Sequence, residues 1–117
     1  MENKDKTINY IEFPLVDANA TKAFYGAVFG WVFQDWGPTY ISFSGAAVEG
    51  GFNGESGVAA TAPGVLVVLY GNDLEALQSA VEAAGAEVVR PIYAFPGGRR
   101  FHFRDPNGNE LAIWSET

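Results

Sequence analysis

The sequence predicts an α+β fold made of two βαβββ modules, and two observations carry this prediction. First, the same order of a strand, a helix and three strands, bounded by turn residues, occurs twice along the 117 residues. Second, the expected helix starts at Asp17 and Asp73 lie 56 residues apart, and the expected helix ends at Gly30 and Gly85 lie 55 apart. An internal repeat at nearly constant spacing indicates a duplicated structural unit.

The first module begins with a strand over 9–16, because apolar and polar residues alternate there with the period of two expected of a half-buried strand. Asp17 or Asn19 is expected to cap a helix over 20–29, and Gly30 is expected to end it in the left-handed conformation. Glycine and proline turns then separate three further strands, predicted over 31–36, 39–44 and 46–52.

The second module repeats this order, starting with a β-branched apolar strand over 65–70. Asn72, with Glu75 three places on, resembles a capping box at the start of a helix that Gly85 ends. Turns rich in proline, glycine, aspartate and asparagine separate the remaining strands, predicted over 87–92, 100–104 and 110–114.

The chain is expected to be a single domain over 1–117, with module one at 8–53, a linker at 54–63 and module two at 64–116. One helix per module covers only one face of a sheet. The other face must therefore be covered by the sister module, by a second subunit or by a ligand.

Composition excludes several classes of protein. Apolar residues make up 48% and aromatic residues 15%, so the chain can bury a core, whereas the absence of cysteine excludes disulfides and thiolate metal sites. A net charge of −7 argues against nucleic-acid binding, which relies on Lys and Arg. No apolar run approaches the length of a membrane helix, and residues 1–12 lack the apolar region of a signal peptide. A cytoplasmic protein without a membrane partner is the expectation.

Two motifs carry a resemblance to a known family. The segments FYGAVFGW at 24–31 and DPNGNEL at 105–111, within a match from Ile8 to Glu116, resemble the glyoxalase/bleomycin-resistance/dioxygenase (vicinal oxygen chelate) superfamily. The resemblance implies that the two modules form a curled eight-stranded mixed sheet around a cup, usually in a homodimer. Whether the modules pair within one chain or are swapped between subunits stays open. In metal-bearing members the cup holds a divalent cation.

The resemblance also implies where metal ligands would lie. Its pattern places them at Tyr10, Leu66 and Ala112, and of these only the tyrosine carries a donor atom. The usual metal site is therefore expected to be absent, and no cofactor is expected. An atypical divalent-metal site built from Glu12, His102 and Glu110 stays open, because one imidazole and two carboxylates suit iron, manganese or zinc.

Two residues are candidates for catalysis. Glu12 is a carboxylate on a central strand and must face a polar cavity or a partner. His102 is the only histidine, and the alternation in 100–104 puts it on the face opposite the two phenylalanines. An inward His102 beside Glu12 would be a proton-transfer pair, and the alternative is a buried hydrogen bond that fixes strand pairing.

Aromatic residues on the open side, with a few polar groups, are typical of a small-molecule pocket. The candidates for substrate binding are Tyr10, Trp36, Tyr40, Phe95, Arg100 and Trp114.

Two functions follow from these candidates. The first is a protein that binds a small organic molecule in an aromatic cup without the usual metal, similar to the drug-sequestering members of the superfamily. The alternative is an enzyme of lyase, isomerase or dioxygenase type. Such an enzyme would use Glu12 and His102 for acid–base chemistry, or an atypical metal site.

Overall fold

The computed structural model describes Asn3 and residues 5–55 and 65–117. The chain divides into two compact units, Met1–Ala59 and Ala60–Thr117. Each unit contains one helix and one four-stranded mixed sheet, so the chain has the predicted α+β fold. Most of the predicted linker over 54–63 lies outside the described residues.

In the first unit the sheet has the strand order β1-β4-β3-β2. The outer strand β1 runs parallel to β4, and the other neighbouring strands are antiparallel. The elements, in chain order, are β1 (Tyr10–Pro14), α1 (Ala18–Phe29), β2 (Val32–Asp35), β3 (Tyr40–Ser44) and β4 (Glu49–Asn53).

The second unit repeats this topology with the strand order β5-β8-β7-β6. Again the first strand is parallel to the last, and the remaining pairs are antiparallel. The elements are β5 (Val67–Tyr70), α2 (Leu74–Ala83), β6 (Glu87–Phe95), β7 (Gly98–Arg104) and β8 (Glu110–Ser115). The twofold occurrence of βαβββ, predicted from the spacing of turns and caps, is confirmed.

Both helices start at an aspartate. The side chain of Asp17 accepts a hydrogen bond from the backbone nitrogen of Ala20 at 2.9 Å, and α1 ends at Gly30 with φ 72°. These two features were predicted, because a short carboxylate satisfies a first-turn amide and glycine adopts the left-handed conformation without a steric penalty.

The expected cap of α2 was wrong by one residue. Asp73, not Asn72, caps this helix, and its carboxylate accepts from the backbone nitrogen of Ala76 at 3.1 Å. Glu75 therefore lies in the first turn, where it cannot form the reciprocal bond of a capping box, and it forms an ion pair with Arg99 instead.

The largest differences from the predicted strand boundaries, three residues each, are at the start of β4 and the end of β6. β4 begins at Glu49 because residues 46–48 form a tight turn, in which Ala47 has φ 70° and the nitrogen of Val48 donates to the oxygen of Ala46. β6 extends to Phe95 because its register with β7, shifted at two irregularities, continues to the hairpin turn at Gly97.

The two cores have different compositions. In the first unit the core is aromatic: the Tyr25 ring of α1 stacks on Trp31 at 4.6 Å and packs 5.3 Å from Phe52. In the second unit α2 packs against β6, β7 and β8 over the fully buried Phe101 and Phe103 and several aliphatic side chains. Within the described residues, neither helix is long and apolar enough to cross a membrane.

Candidate functional site

The face of the first sheet that points away from the phenylalanine core carries mostly polar and aromatic side chains. Alternation puts Tyr10 and Glu12 of β1 on this side, because the residues that follow each of them, Ile11 and Phe13, point into the core. The register between β3 and β4 sets Ser42 opposite Gly51. The residues of this surface, called the first open face below, are Tyr10, Glu12, Val32, Gln34, Tyr40, Ser42, Ser44, Glu49, Gly51 and Asn53.

A hydrogen-bond network joins two of the predicted binding residues to the predicted catalytic carboxylate. The hydroxyls of Tyr10 and Tyr40 lie 2.5 Å apart, and Tyr40 donates to Glu12 Oε2 at 3.0 Å. The other carboxylate oxygen of Glu12 accepts from Asn53 Nδ2 at 3.1 Å. Burial, together with the hydrogen bonds to Tyr10 and Glu12, raises the pKa of the Tyr40 hydroxyl well above its ordinary value. Tyr40 is therefore held as a neutral phenol that donates to Glu12.

Gly51 makes room for this network. A Cβ built at this position would lie 2.6 Å from the Tyr10 hydroxyl oxygen and closer still to that of Tyr40. The two phenols can meet above the strand only because residue 51 has no side chain.

A cavity of about 590 Å³ lies beside the two tyrosines in the first unit. The exposed Trp36 forms part of its wall and donates its indole N–H to Ser42 Oγ at 2.8 Å. Glu49 is the charged residue in the lining. The described lining residues are Tyr10, Val32, Phe33, Gln34, Trp36, Tyr40, Ser42, Phe43, Ser44, Glu49 and Gly50.

The corresponding face of the second sheet carries the remaining candidates. Phe101 and Phe103 of β7 are fully buried against the core, so Arg100 and His102 lie on the opposite side, as the alternation predicted. This surface, called the second open face, comprises Val68, Tyr70, Glu87, Arg90, Tyr93, Phe95, Arg100, His102, Arg104, Glu110, Ala112 and Trp114.

Four of these side chains form a hydrogen-bonded chain. Arg100 Nε donates to the hydroxyl of Tyr93, which lies 3.1 Å from His102 Nε2. The other ring nitrogen of His102, Nδ1, lies 2.8 Å from Glu110 Oε2. With Tyr93 donating to Nε2 and Nδ1–H donating to Glu110, every hydrogen has one acceptor. The two partners fix the orientation of the imidazole ring.

An aromatic strip adjoins the arginine end of this chain. The Trp114 ring lies 6.2 Å from Phe95 and 5.1 Å from Tyr70, and the guanidinium of Arg100 lies 5.8 Å from the Phe95 ring centroid. Phe95, Arg100 and Trp114 are half-buried. Three predicted binding residues thus lie together in the second unit.

The structure therefore groups the predicted site residues by unit. Tyr10, Glu12, Trp36 and Tyr40 belong to the first open face and its cavity, and the others to the second. Glu12 and His102 have their own hydrogen-bond partners within their units, so the predicted proton-transfer pair stays a prediction.

Several residues of these networks were not selected from sequence. Tyr93 links Arg100 to His102 across two strands, and Asn53 supports Glu12. Their strand positions alone gave no signal, because the register between neighbouring strands decides their partners. The glycine pair at 50–51 was a usable signal, since glycine inside a strand often marks close approach of another group.

The residues at the predicted ligand positions do not fit a metal. Ala112 is fully buried and Leu66 half-buried, and neither has a donor atom, while the hydroxyl of Tyr10 bonds to Tyr40. Over residues 5–55 and 65–117, no group of three or more His, Asp or Glu side chains is placed to hold a metal ion. The expectation that no cofactor is used stays a prediction.

Residues 7–113 match the family described as "Glyoxalase/Bleomycin resistance protein/Dioxygenase superfamily". A curated relative in Mycobacterium bovis, named "Putative glyoxylase CFP32", is 28% identical over 125 residues. The alignment covers 97% of this chain but 47% of that protein, so the chain spans about half the length of the curated relatives it matches.

Solved structures share the fold. A glyoxalase-related enzyme from Fulvimarina pelagi has a TM-score of 0.77 at 24% identity, covering 94% of this chain and 88% of that one. A glyoxalase/bleomycin resistance protein/dioxygenase family enzyme from Burkholderia phytofirmans has a TM-score of 0.81 at 19% identity, covering 94% and 98%. At these identities the likeness concerns the fold alone.

Proposed function

Because the chain belongs to the Glyoxalase/Bleomycin resistance protein/Dioxygenase superfamily, we propose that it binds a small organic molecule. The proposed site is the cavity of the first open face, and the proposed ligand is a planar, cationic compound. Binding is proposed to need no divalent metal.

The observation that carries the proposal is the lining of this cavity. Its volume of about 590 Å³ falls within the range typical of small-molecule sites, roughly 300–1,000 Å³. Trp36 and the two tyrosines offer flat ring surfaces, and Trp36 is 61% exposed, so its ring is available to a ligand. Ser42 and Gln34 add hydrogen-bonding groups that would orient a bound molecule.

Charge supports a cation as the ligand. Glu49 lines the cavity and Glu12 lies behind Tyr40, whereas the described lining residues include no lysine or arginine. A cation over an indole or phenol face gains electrostatic attraction from the ring, and a nearby carboxylate adds to it. An anionic ligand would meet only repulsion from these two glutamates.

Ethidium, a planar aromatic cation whose fluorescence rises on binding, tests this proposal. We expect saturable binding that persists after treatment with EDTA, and a loss of affinity of about tenfold in Trp36→Ala. Glu49→Gln is expected to weaken binding several-fold. Glu82→Gln, which makes the same charge change on the exposed face of α2, is expected to leave binding unchanged.

Three results would overturn the proposal. One is the absence of saturable ethidium binding, and another is equal weakening by Glu49→Gln and Glu82→Gln. The third is loss of binding after EDTA with recovery on adding zinc or manganese.

A second candidate function rests on the fixed imidazole of His102. Its two hydrogen bonds, to Glu110 and Tyr93, hold it as general acids and bases are held. We propose as the alternative a lyase-, isomerase- or dioxygenase-type enzyme that uses Glu12 and His102. With the hemithioacetal of methylglyoxal and glutathione as probe, turnover lost in Glu12→Gln and His102→Gln but kept in Glu82→Gln would support the lyase form. The absence of turnover with added divalent metal would contradict that form.

Assembly as a homodimer is also part of the proposal. Each sheet has an open face that carries exposed apolar groups, including Tyr10 and Tyr70. Light scattering at micromolar concentration is expected to give twice the chain mass of 12.6 kDa, and a monomer would contradict the dimer.

A further inference from the structure

We infer that the second open face holds an anion site that binds the carboxylate of a small aromatic acid. The site consists of one tyrosine, Tyr93, and two arginines that contact its side chain, Arg90 and Arg100. All of its residues belong to the second unit, whereas the residues that line the proposed cation cavity belong to the first.

The four arginines of this unit differ in their ion-pair partners. Arg99 forms an ion pair with Glu75, and Arg104 with Glu87. Over residues 5–55 and 65–117, Arg90 and Arg100 have no carboxylate within ion-pair distance. In a chain of net charge −7, these two cations thus remain available for an external anion.

Arg90 and Arg100 both lie near one aromatic ring, that of Tyr93. The guanidinium carbon of Arg90 lies 3.7 Å from the Tyr93 ring centroid, and that of Arg100 lies 5.6 Å from it. Two like charges near one ring repel each other, and a bound anion that contacts both would reduce that repulsion.

Arg100 is also held in a fixed orientation. Its Nε donates to the Tyr93 hydroxyl, which is tied through His102 to Glu110. The terminal nitrogens of Arg100 hydrogen-bond no described residue, so both can donate to the two oxygens of a carboxylate. Little side-chain freedom would be lost on binding, because half-buried Arg100 is already restrained.

The adjoining aromatic strip specifies the rest of the ligand. Phe95, Trp114 and Tyr70 present ring surfaces next to Arg100. A carboxylate on the arginines would place an attached aromatic body against these rings. A free inorganic anion would leave them uncovered.

Titration with 2-naphthoate, followed by calorimetry, tests the site. We expect saturable binding that weakens about tenfold or more in Arg90→Gln and in Arg100→Gln. Arg104→Gln is the matched control, because Arg104 lies on the same strand and the same face as Arg100 but forms an ion pair with Glu87. Glu49→Gln in the cation cavity is also expected to leave naphthoate binding unchanged, so failure of one proposal does not entail failure of the other.

Arg90 makes the test independent of the hydrogen-bonded chain. Its guanidinium contacts the Tyr93 ring and takes no part in the hydrogen bonds of His102 and Glu110, so Arg90→Gln leaves those bonds in place. Equal binding of 2-naphthamide, the neutral analogue, would overturn the anion site. Equal weakening by Arg104→Gln would overturn the assignment of residues. Inorganic phosphate that binds as tightly as 2-naphthoate would overturn the role of the aromatic strip.

Discussion

The two open faces differ in their charged and polar side chains, although the two units share one topology. The strand registers make Ser42 and His102 equivalent positions. Ser42 of β3 lies opposite Gly51 of β4, and His102 of β7 lies opposite Ala112 of β8. The first face bears two glutamates and two phenols that meet. The second bears a histidine bonded to Glu110, and two arginines that form no ion pair within the described residues. Duplicated caps and turns thus fix a topology, while the surface that it leaves open accepts unrelated chemistry.

The charged side chains of the two faces predict different ligands. Glu49 and Glu12 favour a cation at the first face, and Arg90 and Arg100 favour an anion at the second. If the helix-facing sides of the two sheets are equivalent, substitutions at matched core positions should change the free energy of unfolding by similar amounts. If the open faces are not equivalent, substitutions at matched positions there should have different effects.

The largest effect is expected from equivalent core positions. Phe43 and Phe103 occupy the same register position in the two sheets, and both are buried. Phe43→Ala and Phe103→Ala should each lower the free energy of unfolding by about 3–5 kcal/mol, since each leaves a cavity that its neighbours fill only in part. Urea denaturation measures both. A loss below about 1 kcal/mol in either variant would show that the two sides are not equivalent.

The next effect distinguishes the open faces. His102→Ala removes a buried side chain and both of its hydrogen bonds, leaving Glu110 without this partner, so we expect a loss of about 1–3 kcal/mol. Ser42→Ala at the equivalent position removes one acceptor from the exposed Trp36 and should cost less than about 1 kcal/mol. Urea denaturation at neutral pH that gives equal losses would contradict the asymmetry.

What could be predicted from the sequence follows the same division. The repeat, the helix cap at Asp17 and the αL end at Gly30 are local features, encoded within a few residues. The alternation in 100–104 also gave the correct face for His102. Side-chain partners could not be predicted, because pairing Tyr93 with Arg100 depends on a register shifted twice along β6.

The misplaced cap of α2 has a related cause. Asn72 and Asp73 both offer a short side-chain oxygen, and the sequence alone does not decide which one reaches the first turn. Glu75 favoured Asn72 by its spacing, but its charge is taken up by Arg99 on a distant strand. The structure thus shows a different cap for α2 and a different partner for Glu75 than the spacing indicated.

Gly51→Ala is expected to affect binding more than stability. The added Cβ would displace the Tyr10 and Tyr40 hydroxyls, which are the ends of flexible side chains, so unfolding should change by less than about 1.5 kcal/mol. Ethidium affinity should fall about tenfold, since both rings line the cavity. Gly26→Ala is the control, because the nearest atom to its added Cβ would be 3.9 Å away. Unchanged ethidium binding in Gly51→Ala would separate the two tyrosines from the site.

The smallest effect concerns alkaline stability, and it again compares the units. The pKa of Tyr40 is raised by burial first and then by its hydrogen bonds, so above its ordinary value near 10 the unfolded chain loses this proton before the folded chain does. The associated stability is complete below pH 10 and is lost as the pH rises from there toward the folded pKa.

Tyr40→Phe should therefore flatten the decline in unfolding free energy above pH 10, measured by urea denaturation from pH 8 to 11. The pKa of Tyr70 in the second unit is also raised, by desolvation and by Glu116, but this side chain is 51% exposed and solvent screens the effect. Tyr70→Phe should therefore flatten the decline in unfolding free energy above pH 10 less than Tyr40→Phe does. The reverse order would mean that the Tyr10–Tyr40–Glu12 network does not hold the neutral phenol, and the charge pattern of the first open face would then need another explanation.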